Sequence, residues 1–85
     1  MARLVQYSRE ATATLLRIDR STAKRIRSKV DQLAADPESL ANNVRSLKGK
    51  AGLKRLRVGS WRVIYSDELI VLRILKVAPR GSAYD

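Results

Sequence analysis

The sequence predicts an α+β fold: a small, twisted, antiparallel-rich sheet packed against a two-helix hairpin, the sheet being an N-terminal strand plus a three-strand C-terminal meander. Three observations predict it. Apolar residues recur at helical spacing from Ala11 to Ala34. From Leu53 onward the spacing shortens to the strand period of two. Between the first two strand runs stands Gly59-Ser60, and glycine at the first central position suits a two-residue type II′ hairpin turn. With 85 residues the chain makes one domain, 1–85, because so short a chain cannot support two cores.

In chain order, residues 2–7 read as a short strand with Leu4 and Gln6 on one face and Val5 and Tyr7 on the other. Ser8 reads as an N-cap for a helix running to about Ile18, whose apolar stripe is Ala11, Leu15 and Ile18. Position 11 is Ala, so the capping box is incomplete. Asp19 is a second N-cap, followed at helical spacing by Ala23, Ile26, Val30 and Leu33, until Asp36-Pro37 stops the helix. Pro37, Asn42-Asn43, Gly49 and Gly52 mark residues 37–52 as a connecting loop, pinned to the core by Leu40, Val44 and Leu47. Strands are expected at 53–58, 61–66 and 69–77, with Ser66-Asp67-Glu68 as the second turn. The last run is apolar on both faces, which suits a strand inside a sheet. There are no repeats and no low-complexity segments.

Eighteen Lys and Arg against eight Asp and Glu leave a formal charge of +10. On so small a domain this field selects nucleic acid, an acidic protein or an anionic membrane surface as partner. No run is long and apolar enough to span a bilayer, and the N-terminus lacks the apolar stretch of a secretion signal. Absence of cysteine removes thiolate chemistry and fits a cytoplasmic location. Absence of histidine removes an imidazole base and an ordinary zinc site. No metal and no cofactor is implied, and any catalysis must use Lys, Arg, Tyr, Asp or Glu.

The turn at Gly59-Ser60 fixes a register. Val58 lies opposite Trp61, Leu56 opposite Val63 and Lys54 opposite Tyr65, on a face that the helices must cover. On the other face Arg57 lies opposite Arg62, and Arg55 opposite Ile64. Like charges directly across a strand pair are destabilising, so this face reads as prepared for an anion. Arg80 and Tyr84 follow the last strand, which a meander brings past one end of the hairpin. Such a cluster suits a phosphodiester, since guanidinium binds phosphate oxygens bidentately and stays charged. With RNA it would support attack of the 2′-hydroxyl on the adjacent phosphorus. Arginines would stabilise the phosphorane, and Tyr84 would take the first proton, its phenol acidified by neighbouring cations. The plain alternatives are a solvated arginine face and a lone packing tyrosine. Lys24, Arg25, Arg27 and Lys29 form a basic face on helix 19–35 that is either solvated or a dock for nucleic acid or an acidic protein. Lys48 and Lys50, at the basic end of the loop, carry no specific signal.

Three runs then carry a resemblance: Asn43-Val44-Arg45-Ser46-Leu47-Lys48-Gly49, Leu53 to Tyr65, and Val71 to Tyr84. Together with the order strand, helix, helix, three strands, they resemble the RelE/ParE superfamily of type II toxins over essentially the whole chain. The resemblance implies a toxin neutralised by a cognate antitoxin that wraps it, in an oligomeric complex that binds DNA through the antitoxin. It implies one of two activities: ribosome-dependent cleavage of mRNA in the A site, as in RelE-like members, or inhibition of DNA gyrase, as in ParE-like members. On the first, Arg55, Arg62, Arg80 and Tyr84 match catalytic positions. Arg57 matches a further basic position, with Lys54, Lys48 and Lys50 as other RNA contacts and Lys24, Arg25, Arg27 and Lys29 toward the ribosome. One departure stands out, because Leu53 occupies a position where those members carry a lysine.

Overall fold

The computed structural model describes residues 2–81. Its sheet has five strands: β1 (Leu4–Tyr7), β2 (Val44–Ser46), β3 (Leu53–Val58), β4 (Trp61–Asp67) and β5 (Val71–Pro79), in the order β1-β5-β4-β3-β2. Only the β1–β5 pairing is parallel. Two helices, α1 (Arg9–Arg17) and α2 (Arg20–Ala35), cover one face. The α+β architecture is the expected one.

Both N-caps are formed. Ser8 Oγ accepts from the Ala11 amide at 3.0 Å and donates to the Leu75 carbonyl at 2.7 Å, so one hydroxyl starts α1 and ties it to the sheet. Asp19 accepts from the Thr22 amide at 3.1 Å and opens α2 directly after α1 ends. Helix α2 stops at Ala35, just ahead of the Asp36-Pro37 pair, because the residue before a proline is pushed out of helical geometry. The helical stripe of Ala11, Leu15, Ala23, Ile26, Val30 and Leu33 packs on Leu56, Val58, Val63, Tyr65, Leu72, Ile74 and Val77. Burying each large aliphatic side chain of this set contributes roughly 1.5–3 kcal/mol.

The structure departs from the sequence reading in three places. Residues 37–52 are not all loop: Pro37–Asn43 forms 3₁₀ turns kinked at Leu40, and Val44–Ser46 adds β2 to the edge of β3. Leu69 and Ile70 do not belong to the last strand. They sit in the β4–β5 turn, 92% and 66% exposed. Third, the face of the sheet opposite the helices is not bare. Ile64, in register between Arg55 and Lys76, has no exposed surface, and Ala78 beside Arg62 is also buried. Arginine and lysine stems flank Ile64, the usual way in which long cations border apolar neighbours while keeping their heads in water.

Strand β5 also carries a bulge. Ile64 pairs with Lys76 and Tyr65 with Ile74, leaving Leu75 as the extra residue. The inward set of β5 accordingly changes from Leu72 and Ile74 to Val77, from even to odd positions.

Candidate nucleic-acid interface

The β3–β4 hairpin has the register that its turn dictates. Gly59 adopts φ +58° and no described non-glycine residue has a positive φ, so Ser60 completes a type II′ geometry. Arg57 faces Arg62, Arg55 faces Ile64, Leu56 faces Val63 and Val58 faces Trp61. The added strand β2 puts Arg45 directly opposite Arg55. Two arginine pairs therefore stand side by side on one face. They border a small cavity of about 90 Å³, lined by Asn42, Asn43, Arg45, Arg55, Arg57 and Arg62. Among the described residues no acidic one lines it.

Arg62 is held in place by the turn, donating from Nη1 to the Gly59 carbonyl at 3.2 Å and the Trp61 carbonyl at 3.0 Å. The chain after β5 reaches the same turn, where the Arg80 amide donates to the Ser60 carbonyl at 2.7 Å. Arg80 thus stands at the tip of the hairpin, beside the arginine face. Tyr84 lies outside the described residues.

The remaining candidates are dispersed. Lys54 lies on the helix-facing side of β3 and approaches Asp67 Oδ2 at 3.8 Å, while Arg3 Nε lies 2.6 Å from Asp67 Oδ1. Strand β3 has no register shift against β4 that would turn Lys54 to the arginine face. Lys48 and Lys50 are exposed in the connection before β3 and do not line the cavity. On α2, Lys24 and Arg27 border an open groove of about 730 Å³ between the two helices, floored by Leu15, Leu16 and Ile18. The Arg27 guanidinium also lies over the Tyr7 ring at 5.3 Å, and Lys29 Nζ donates to Gln32 Oε1 at 3.4 Å. Arg25 alone of the four reaches the hairpin turn.

Neither described tyrosine is a proton acceptor for this site. Tyr65 packs among the helix-facing residues, and burial, with the Asp67 carboxylate adding to it, pushes its phenol up to about 12. Burial also raises Tyr7, with a smaller contribution from Asp31. Among the described residues no cluster of His, Cys, Asp or Glu can hold a metal ion. No described helix is long and apolar enough to cross a membrane.

Sequence reasoning missed Arg45 and the Asn42-Asn43 pair as members of the site. A three-residue strand is too short to show a period against a background of loop residues. The available signal was the alternation Val44-Arg45-Ser46-Leu47 directly after two turn-forming asparagines.

The family model described as the ParE toxin of a type II toxin-antitoxin system, parDE, matches residues 5–84. This chain belongs to the RelE/ParE superfamily of type II toxins. The toxin is 31% identical to the RelE chain of the archaeal RelE–RelB complex from Pyrococcus horikoshii, with a TM-score of 0.79 over 98% of this chain and 100% of that one. Two further solved structures share the fold. Against a free-state mutant of Escherichia coli RelE the TM-score is 0.74 at 20% identity, covering 98% of this toxin and 87% of that chain. Against the RelB–RelE complex of Methanococcus jannaschii it is 0.72 at 19% identity, covering 93% and 94%. No curated protein sequence matches the toxin. Leu53 opens β3 on the arginine face, opposite Ser66.

Proposed function

We propose that this toxin is a ribosome-dependent endoribonuclease that cleaves mRNA in the A site, and that a cognate antitoxin neutralises it. The observation that carries the reading is the convergence of Arg45, Arg55, Arg57 and Arg62, from three strands, on one small cavity. A phosphodiester carries the charge complementary to four guanidinium groups. The RelE–RelB complex of Pyrococcus horikoshii supports an antitoxin as partner.

The 2′-hydroxyl attacks the adjacent phosphorus and the 5′-oxygen leaves, giving a cyclic phosphate and a free 5′-hydroxyl. One proton leaves the nucleophile and one reaches the leaving oxygen. Arg55, Arg62 and Arg80 stabilise the charge that builds on the phosphorane, and Arg45 and Arg57 hold the ground-state phosphate. Removing one such donor costs about 2.7–4 kcal/mol of transition-state stabilisation in enzymes that work this way. Tyr84 is the tyrosine assigned as base or as the group that orients the 2′-hydroxyl. Tyr7 and Tyr65 are set aside by their raised phenols and helix-facing positions. Lys24, Arg27 and Lys29 present the outer face of α2 to ribosomal RNA.

The test is to induce the toxin and its Arg62→Ala and Tyr84→Phe variants in turn and to map mRNA 5′ ends during growth arrest. Cuts in register with codons that vanish in both variants support the reading. Arrest without cuts, undiminished in both variants, would sink it. A second reading is favoured by the match to the ParE family model: a non-nuclease that inhibits DNA gyrase. It predicts loss of gyrase supercoiling activity with the purified toxin and no dependence on Tyr84.

A further inference from the structure

Three arginines meet the two-residue turn Gly59-Ser60. Arg62 donates to the Gly59 carbonyl and the Arg80 amide to the Ser60 carbonyl. The third contact comes from the helical layer, where the Arg25 guanidinium lies against Gly59. A Cβ added to Gly59 would stand 3.2 Å from Arg25 Nη1 and 3.5 Å from its Cζ. Glycine suits this position through its φ of +58°, and the missing side chain leaves the Arg25 guanidinium room to lie close against the turn. Arg25 is exposed, and it has no carboxylate partner among the described residues. Its neighbours on α2 behave differently: Arg27 covers Tyr7, Lys29 bonds Gln32, and Lys24 borders the interhelical groove.

The cationic strip does not end at the cavity. It runs from Arg45 and Arg55 through Arg57 and Arg62, over the turn, to Arg25 on the far side of the hairpin. An isolated phosphate would be served by the cavity alone. A strip of separated guanidinium groups, each suited to bidentate phosphate contact, fits a chain of phosphates instead. We propose that Arg25 and the Gly59-Ser60 turn form a second phosphodiester subsite, which takes the RNA backbone flanking the phosphate held in the arginine cavity. The proposal rests on the reading of that cavity as an RNA site.

Binding of a uridine dinucleotide and of a longer oligouridylate to the folded toxin tests it, by fluorescence anisotropy over a range of salt concentrations. Arg25→Gln is expected to lower the salt slope for the long RNA by about 0.7, the value of one phosphate on a single strand. It should leave the dinucleotide unaffected. Arg57→Gln is expected to weaken both RNAs. Arg9→Gln, an equal charge change on the exposed start of α1, sets the nonspecific baseline. An Arg25→Gln effect no larger than that of Arg9→Gln, with Arg57→Gln still weakening both RNAs, overturns the second subsite and leaves the cavity standing. If Arg57→Gln changes neither RNA, the cavity reading fails and the subsite fails with it. Polyglutamate is the control for an acidic protein: an equal slope change with that probe would overturn the assignment to RNA.

Discussion

Arg45 and Arg55 stand directly opposite each other on β2 and β3, and two residues further along β3 the same arrangement recurs between Arg57 and Arg62. Each pair works against the sheet that carries it. Cross-strand like charges cost on the order of 0.2–1 kcal/mol.

A substitution that weakens function should therefore strengthen the fold. Arg57→Gln is expected to raise stability by about 0.2–1 kcal/mol at low salt, which moves Tm by a few degrees in a domain of this size. The gain should shrink near molar salt, where the screening length falls to about 3 Å. Thermal melts at two ionic strengths check this. A lower Tm for the variant at both would show that the pair is not in conflict.

Ser8 links a helix start to the bulged strand, so its loss should be felt in both. Ser8→Ala is expected to cost about 2 kcal/mol, from the missing cap and the lost donor to the Leu75 carbonyl. Urea unfolding gives the number. Hydrogen exchange should also show faster opening of the first turn of α1 than in the parent.

Alkaline stability should depend on Tyr65. Its phenol ionises near 10 when unfolded and near 12 when folded, so the neutral form is favoured by the native state. The resulting stability is intact below about pH 10, declines as the unfolded chain ionises, and is gone once pH passes the folded value. Absorbance titration of phenolate should find one tyrosine unionised until about pH 12. In Tyr65→Phe the decline over this window should be shallower; an identical decline would assign it elsewhere.

At the acid end the cap of α2 should matter. The Ser21 hydroxyl, then the Thr22 amide and hydroxyl, hold the Asp19 carboxyl below its usual range. Its contribution is present above the unfolded pKa and is lost as pH falls through the lower folded value. Asp19→Asn still caps, so its stability at neutral pH should stay within about 1 kcal/mol of the parent. As pH falls through that lowered folded value and the Asp19 carboxyl loses its charge, the two proteins should converge. Denaturant midpoints across that range decide it.

Much of the fold was legible because local signals agreed with one another. Ser8, Asp19 and Asp36-Pro37 mark helix ends through backbone chemistry that needs no tertiary context, and all three act where they were read. Gly59-Ser60 fixed the hairpin register residue by residue, since a two-residue turn leaves no freedom in pairing. What stayed hidden depended on neighbours far along the chain. Val44–Ser46 becomes a strand only because the edge of β3 offers it partners. Leu69 and Ile70 read as strand because they are apolar, yet they occupy a turn. Lys54 was legible as a helix-facing residue, but its nearness to Asp67 was not, because Asp67 lies thirteen positions further on. For the site, the register supplied Arg55, Arg57 and Arg62, whereas Arg45 waited on a strand that periodicity could not see.

The extra residue at Leu75 has a consequence for how this chain tolerates change. Upstream of it, β5 is phased by its parallel contact with β1; downstream, by the hairpin it runs beside. The two phases differ by one residue, and the bulge absorbs the difference. Deleting any single residue between Ile74 and Val77 would leave the composition of the strand almost intact. It would remove the bulge and leave strict alternation, with Val77 still facing the helices and Arg80 still at the tip of the turn. The bulge is thus a spare residue: β5 can lose one position there and keep the same side chains against the helices, at the cost of the local bend alone.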